Sequence, residues 1–139
     1  MRRDPRDVVG DLIHPETQIH DGAVDLTVAH IFAIDEPGHL DFGGSELQLP
    51  ATTRLDPVKR HPDHEYGWWS LEPGTYLVEY NETLTSPPAY IQPRDMLIAG
   101  GGMHASGWVH EFTRVGIHLG AGLELKENAR ISTVHTVRP

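Results

Sequence analysis

Few apolar stretches of this chain keep a helical period; short β-type runs recur instead. Val24–Ile34, Ser45–Leu49, Thr75–Tyr80, Ala89–Ile91, Arg114–Leu119, Leu123–Leu125 and Arg130–Val137 read as strands. Gly, Pro, Asn or Asp bounds most of them, the punctuation of an all-β sandwich or barrel. Asp4–Ile13 is the best helical pattern, and Arg94–Ile98 predicts a single further turn, for which Pro93 suits the start. Leu71–Tyr76 carries a Pro-Gly turn that feeds a strand. Ala51–Trp69 is the least patterned stretch and reads as a long polar loop, a kind of segment that is often functional.

The 139 residues predict one domain, residues 1–139, with enough chain to bury a real core. No run approaches the roughly 18 apolar residues of a membrane span. The basic start Met1-Arg2-Arg3-Asp4-Pro5 leads into no apolar segment of a secretory signal. The expectation is a cytoplasmic protein that does not enter a membrane. With no cysteine, disulfides and thiol catalysis are excluded. Twenty acidic residues against eleven Lys and Arg give a formal charge of −9. That balance argues against a nucleic-acid surface, which needs clustered positive charge. It also means that a phosphate ligand must be held by local basic groups against a repulsive background, unless high salt screens it.

Four segments in order carry a resemblance. Gly22-Ala23-Val24-Asp25-Leu26-Thr27-Val28 comes first, and Pro93-Arg94-Asp95-Met96-Leu97 follows the Leu71–Tyr76 turn. Trp108-Val109-His110-Glu111-Phe112-Thr113-Arg114-Val115-Gly116 and Ala129-Arg130-Ile131-Ser132-Thr133 complete the set. In this order the chain resembles the dUTPase and dCTP deaminase superfamily from about Leu12 onward. The resemblance implies an all-β, distorted jelly-roll (β-clip) domain, most often a homotrimer with sites between subunits. It also implies a pyrimidine deoxynucleoside triphosphate as ligand, with magnesium if the protein is catalytically active.

The departures from the family's motifs fall on its chemistry. The Pro-Arg-Ser-Ser-Leu signature, whose serines bind phosphate, keeps Arg94 but has Asp95 and Met96 in place of both hydroxyls. The acid that activates water in dUTPases is replaced by His110, with Glu111 beside it, and Phe112 stands in for the sugar-packing tyrosine. His118 falls near the position of the deaminase glutamate.

The resemblance assigns Asp25, His110 and Glu111 to catalysis and Arg94, Asp95, Trp108, Phe112 and Arg130 to substrate. Guanidinium groups at Arg94 and Arg130 can each grip two phosphate oxygens, or can pair structurally with carboxylates. Asp25 can organise a magnesium–phosphate complex or serve as a buried structural acid. His110 and Glu111 can act as base and orienting partner, although adjacent strand residues point to opposite faces. Trp68 and Trp69 suit a subunit contact. The lead expectation is a dUTP pyrophosphohydrolase-type protein of weakened activity. A degenerate nucleotide- or partner-binding homologue is the alternative. A metal-dependent enzyme built from the ten histidines, among them His61, His64, His104 and His118, is a third.

Overall fold

The computed structural model describes residues 3–136. Along the chain come α1 (Pro5–Val8), β1 (Val9–Gly10), α2 (Pro15–Gln18), β2 (Ile19–His20), β3 (Ala23–Glu36), β4 (Ala51–Arg54), β5 (Trp68–Leu71), β6 (Gly74–Tyr80), β7 (Thr83–Leu84) and β8 (Ala89–Pro93). Then follow α3 (Asp95–Ala99), β9 (Gly102–Met103), β10 (Gly107–Val109), β11 (Val115–Leu119), β12 (Leu123–Lys126) and β13 (Arg130–His135). The main sheet runs β10-β8-β13-β3-β6-β11-β9, with β2 and β4 also paired to β3, and β1-β7 and β12-β5 form two small ribbons.

The long strand β3 organises this antiparallel, curled jelly roll. Its first half pairs with β13, from Ala23↔His135 to Thr27↔Arg130. Its second half pairs with β6, from Val28↔Tyr80 to Ala33↔Tyr76, with a register shift between Val28 and His30. Changing partner along one strand bends the sheet back over itself. Val24, Leu26, Val28 and Ile31 then meet Val78, Ile117 and Val134 in the core, all fully buried. Removing such side chains from water contributes on the order of 1.5–3 kcal/mol apiece.

Several expectations are corrected. The helix expected over Asp4–Ile13 is one turn, Pro5–Val8, capped where Asp4 accepts from the Arg6 amide at 2.9 Å. Val8 and Val9 are buried, and β1 pairs with β7, so the β-branched pair is used by the sheet. Ser45–Leu49 is no strand; within it only Gln48 is bridged, to His39, in a projecting hairpin. Inside Ala51–Trp69, Ala51–Arg54 pairs with β3 and Trp68 opens β5, which leaves 55–67 as loop. Trp69 is 3% exposed and its indole N–H donates to the Leu55 carbonyl at 3.1 Å, so it belongs to its own core and not to a subunit contact. Val137 lies outside the described residues.

Candidate functional site

The site begins with a turn. Asp21 and Gly22 both have positive φ, 48° and 72°, as the two central residues of a tight hairpin require. The turn folds β2 onto β3, pairs His20 with Ala23, and sets His20 Nε2 2.9 Å from Asp25 Oδ1. Across the β3–β13 pairing Thr133 stands opposite Asp25, and its hydroxyl donates to the same oxygen at 2.9 Å. Regular alternation would put Ile131 on Thr133's face. The register break between Arg130 and Ser132 sends Ile131 into the core and turns Arg130 toward Asp25 instead. Its Nη1 donates to Asp25 Oδ2 at 3.1 Å.

Asp25 is fully buried, and a carboxylate there needs partners for both oxygens. Besides Arg130, Arg94 brings Nε to 3.6 Å from Oδ2 and donates from Nη1 to the Arg130 carbonyl at 3.1 Å. None of the hydrogen bonds among the described residues uses Arg94 Nη2. A cavity of about 340 Å³ opens beside this cluster, lined by His20, Asp21, Asp25, Gln92, Arg94, Asp95, Thr133 and His135. Asp95, the first residue of α3, is exposed in its wall.

A second cavity, of about 530 Å³, lies between the end of β6 and the segment that joins β10 to β11. Glu79, Tyr80, Glu82, His110, Glu111 and Phe112 line it. His110 and Glu111 are exposed. Phe112 is 4% exposed and meets Tyr80 edge to face, with ring centres 5.7 Å apart. The Tyr80 hydroxyl is 2.6 Å from Ser132 Oγ, which lies 2.8 Å from buried His104 Nε2. Burial lowers the pKa of His104 and raises that of Tyr80. Glu82 is buried too; it accepts from the Thr27 amide at 2.7 Å, the Thr27 hydroxyl at 2.6 Å and Gln18 Nε2 at 2.9 Å. Burial raises its pKa against the pull of those bonds.

The fold thus gathers Asp25, Arg94, Asp95 and Arg130 in one place and His110, Glu111 and Phe112 in another. Trp108 lines neither cavity; it sits half-exposed on the edge strand β10, edge-on to Tyr90 at 5.6 Å. Burial bears on two of these residues. Phe112 is nearly buried, with its ring edge to face against Tyr80. Asp25 is fully buried, with Oδ1 shared by His20 and Thr133 and Oδ2 by Arg130. Among the described residues no three metal-ligating side chains gather; His104 and His118 are bonded to Ser132 and Thr75 in different parts of the sheet. His20, Gln92, Thr133 and His135 are site residues that the motifs missed. Of these His20 had a readable signal, the Asp-Gly dipeptide that predicts a hairpin turn.

No protein-family model matches the chain. A probable deoxyuridine 5'-triphosphate nucleotidohydrolase of Methanococcoides burtonii is 30% identical over 133 residues, covering 89% of this chain and 75% of that protein. A protein of the same name from Methanosarcina mazei is 31% identical, covering 86% of this chain and 71% of its own length. Among solved structures, the 2'-deoxycytidine 5'-triphosphate deaminase of Agrobacterium tumefaciens superposes with a TM-score of 0.60 at 14% identity. That match covers 92% of this chain but 43% of the deaminase, and it speaks for the fold. With sequence relatives over most of its length and the curled sheet of the deaminase, the chain belongs to the dUTPase/dCTP deaminase superfamily.

Proposed function

We propose that the chain handles a pyrimidine deoxynucleoside triphosphate as a dUTPase-type pyrophosphohydrolase of weakened activity. The observation that carries this reading is Arg94, anchored by Asp25 and the Arg130 carbonyl yet with Nη2 unspent, in the wall of the cavity that also holds Asp95. A guanidinium fixed at one edge offers the other to phosphate oxygens at little entropic cost. Arg130 supports it from behind and adds positive charge.

In hydrolysis a water oxygen bonds to the α-phosphorus while the bond to the α–β bridging oxygen breaks and pyrophosphate leaves. A base must take the water's proton. On this chain His110, with Glu111 beside it, is the group proposed for that step. Its cavity is separate from that of Arg94, so the reading includes a homotrimer in which the 110–114 segment of one copy faces the Asp25–Arg94 cavity of the next. Magnesium enters this scheme only with the triphosphate, as its phosphate complex; no step of the chain's own residues passes through it.

A second reading is favoured by one observation. Asp95 places a carboxylate in the wall where phosphate would lie. The chain is then a homologue that binds a less charged nucleotide, or a partner, without turnover. Thermal unfolding with dUTP, dCTP, dUMP and deoxyuridine, each with and without magnesium, tests both readings, because a ligand of the folded state raises its stability by mass action. A shift with triphosphate that disappears in Arg94→Ala supports the first. A shift with deoxyuridine or dUMP alone supports the second. No shift with any of them refutes nucleotide handling at this site.

A further inference from the structure

Beyond the arginines, the Arg94 cavity has a second end. The strand order β3-β13-β8 and the register Asp25↔Thr133↔Gln92 set those three residues in one row across the sheet. The next row, two residues along, is Ala23↔His135↔Tyr90, and it continues onto the edge strand as Tyr90↔Trp108. Burial fixes which face the rows share. Ala89 and Ile91 of β8, with Ser132 and Val134 of β13, are turned into the interior, so Tyr90, Gln92, Thr133 and His135 lie on the other side. Neighbouring strands are about 4.8 Å apart and each residue rises about 3.3 Å, which roots Gln92 roughly 10 Å across from Asp25 and His135 roughly 8 Å from each.

The two ends differ in chemistry. At Asp25 the guanidiniums of Arg94 and Arg130 gather. The far corner holds the Gln92 amide and the His135 imidazole, both in the cavity wall. Behind the imidazole runs a row of rings without a carboxylate, His135 to Tyr90 with centres 6.2 Å apart and Tyr90 to Trp108 at 5.6 Å. One atom there lacks a partner. His135 Nε2 is shielded from solvent and, among the described residues, makes no hydrogen bond. Buried polar atoms of folded proteins are nearly always paired, and leaving one unpaired is costly.

We propose that this corner receives the pyrimidine ring of a nucleotide whose phosphate lies on Arg94, and that Gln92 and His135 are the residues that read the base. The inference rests on the phosphate site of the proposed function and adds the residues that choose what the phosphate carries. A primary amide offers a donor beside an acceptor, and a neutral imidazole has one of each. A pyrimidine edge presents the complementary alternation, a ring nitrogen flanked by exocyclic groups, so that amide and edge can join through two bonds, as glutamine does with base edges in general. The imidazole, backed by Tyr90, gives the ring a flat neighbour and Nε2 a partner. The span from guanidinium to amide suits a ligand with an anion at one end and a flat polar ring at the other. Phosphate or a polyphosphate alone has nothing to place in the second corner.

The experiment is calorimetry of the full chain with two pairs of ligands, each a nucleotide and its base-free counterpart. The pairs are dUMP against 2-deoxyribose 5-phosphate and, with magnesium, dUTP against tripolyphosphate. In a pair that binds, wild type should prefer the nucleotide by about tenfold or more. Gln92→Leu and His135→Leu should each cut that preference to about threefold or less and leave affinity for the base-free ligand unchanged. A merely structural role would move both members of a pair together. Should His135→Leu fail to fold, Gln92→Leu carries the test, since its half-buried side chain stands outside the core. Equal wild-type affinity for both members, a preference untouched by Gln92→Leu, or parallel losses overturns the base corner. So does a His135→Leu chain with altered sedimentation and unaltered ligand preference, which would assign the row of rings to contact between chains. In each of these cases Arg94-dependent binding of the base-free ligand leaves the phosphate reading standing, whereas no binding in either pair refutes both.

Discussion

Asp25→Asn is the substitution that separates a structural charge cluster from a ligand site. Asparagine keeps the volume and can keep its oxygen toward the arginines while its amide meets Thr133 and His20. What it removes is the charge. A hydrogen bond to a charged group contributes about 1.5–3 kcal/mol against about 0.5–1.5 for a neutral one. The Arg130 contact at 3.1 Å therefore loses about 1–1.5 kcal/mol, and the longer Arg94 contact at 3.6 Å loses less. Breaking a fully buried ion pair costs about 3–5 kcal/mol, but these guanidiniums are 24% and 37% exposed and regain water. The expected loss is about 2 kcal/mol. Arg94→Ala removes only that long contact and one bond to the Arg130 carbonyl, for about 1 kcal/mol or less. Urea unfolding followed by fluorescence of the three tryptophans reads both as shifts in midpoint at constant slope. Asp25→Asn should destabilise more than Arg94→Ala and leave Arg94 near its place, whereas Arg94→Ala should abolish most nucleotide binding. An Asp25→Asn midpoint equal to wild type, or an Arg94→Ala loss as large as that of Asp25→Asn, would refute the assignment of Arg130 and Asp25 as the anchor and Arg94 as the outward hand.

Three further outcomes are expected. Arg94→Ala should raise a nucleotide Kd about 10–100-fold and more than Arg130→Ala does, measured by calorimetry; equal effects would move the phosphate contact elsewhere. Turnover of dUTP and dCTP should be slow, because a positioned base is worth about 10²–10⁴-fold. His110→Asp with Asp95→Ser should raise pyrophosphate release, and brisk wild-type turnover that collapses in His110→Ala would make His110 a working base. Stability should fall on acidification through the ordinary histidine range. Burial holds the pKa of folded His104 below its unfolded value of about 6.5, so its contribution is present above that pH and is lost as pH drops toward the folded value. Urea midpoints of His104→Gln should show a flatter slope there, and an unchanged slope would clear His104. Glu82, with its pKa raised, acts with the opposite sign at lower pH.

The strands that were legible are those whose apolar residues alternate between turn residues, as in β3, β6, β11 and β13. β5 was hidden because Trp68 and Trp69 are adjacent: Trp69 enters the core while Trp68 lies under the Arg60 guanidinium, 3.6 Å from its ring centre. The Asp4-Pro5 start was a true helix signal, but the turn ends where Val8 and Val9 are taken by the core. In the site, the motifs carried Asp25, Arg94, Asp95 and Arg130 as separate residues. Their contact was not legible, because Asp25 and Arg130 are 105 residues apart and meet through a register break that no local pattern marks. Burial of Phe112 was illegible for a similar reason. Its partner Tyr80 comes from β6, and a motif says nothing of which face of a connecting segment turns inward.

The balance of charge in the Arg94 cavity is the physical link between these residues and a choice of ligand. Arg94 and Arg130 supply two positive charges; Asp25 beneath them and Asp21 and Asp95 in the wall supply three negative ones. Asp25 cannot be subtracted from this balance, because it holds the arginines in place. Asp21 cannot easily be either, since it occupies a positive-φ position of the hairpin turn that brings His20 to Asp25. Asp95 is exposed at the start of α3 and takes no part in the bonds that join Asp25 to the two arginines. With it the cavity opposes a triphosphate unless a cation lies between. With serine in its place the local charges cancel and a hydroxyl becomes available to phosphate. On the proposed reading Arg94 would decide whether phosphate is held, and Asp95 how much phosphate charge is tolerated. The enzyme and binding readings part at Asp95, before any base is considered.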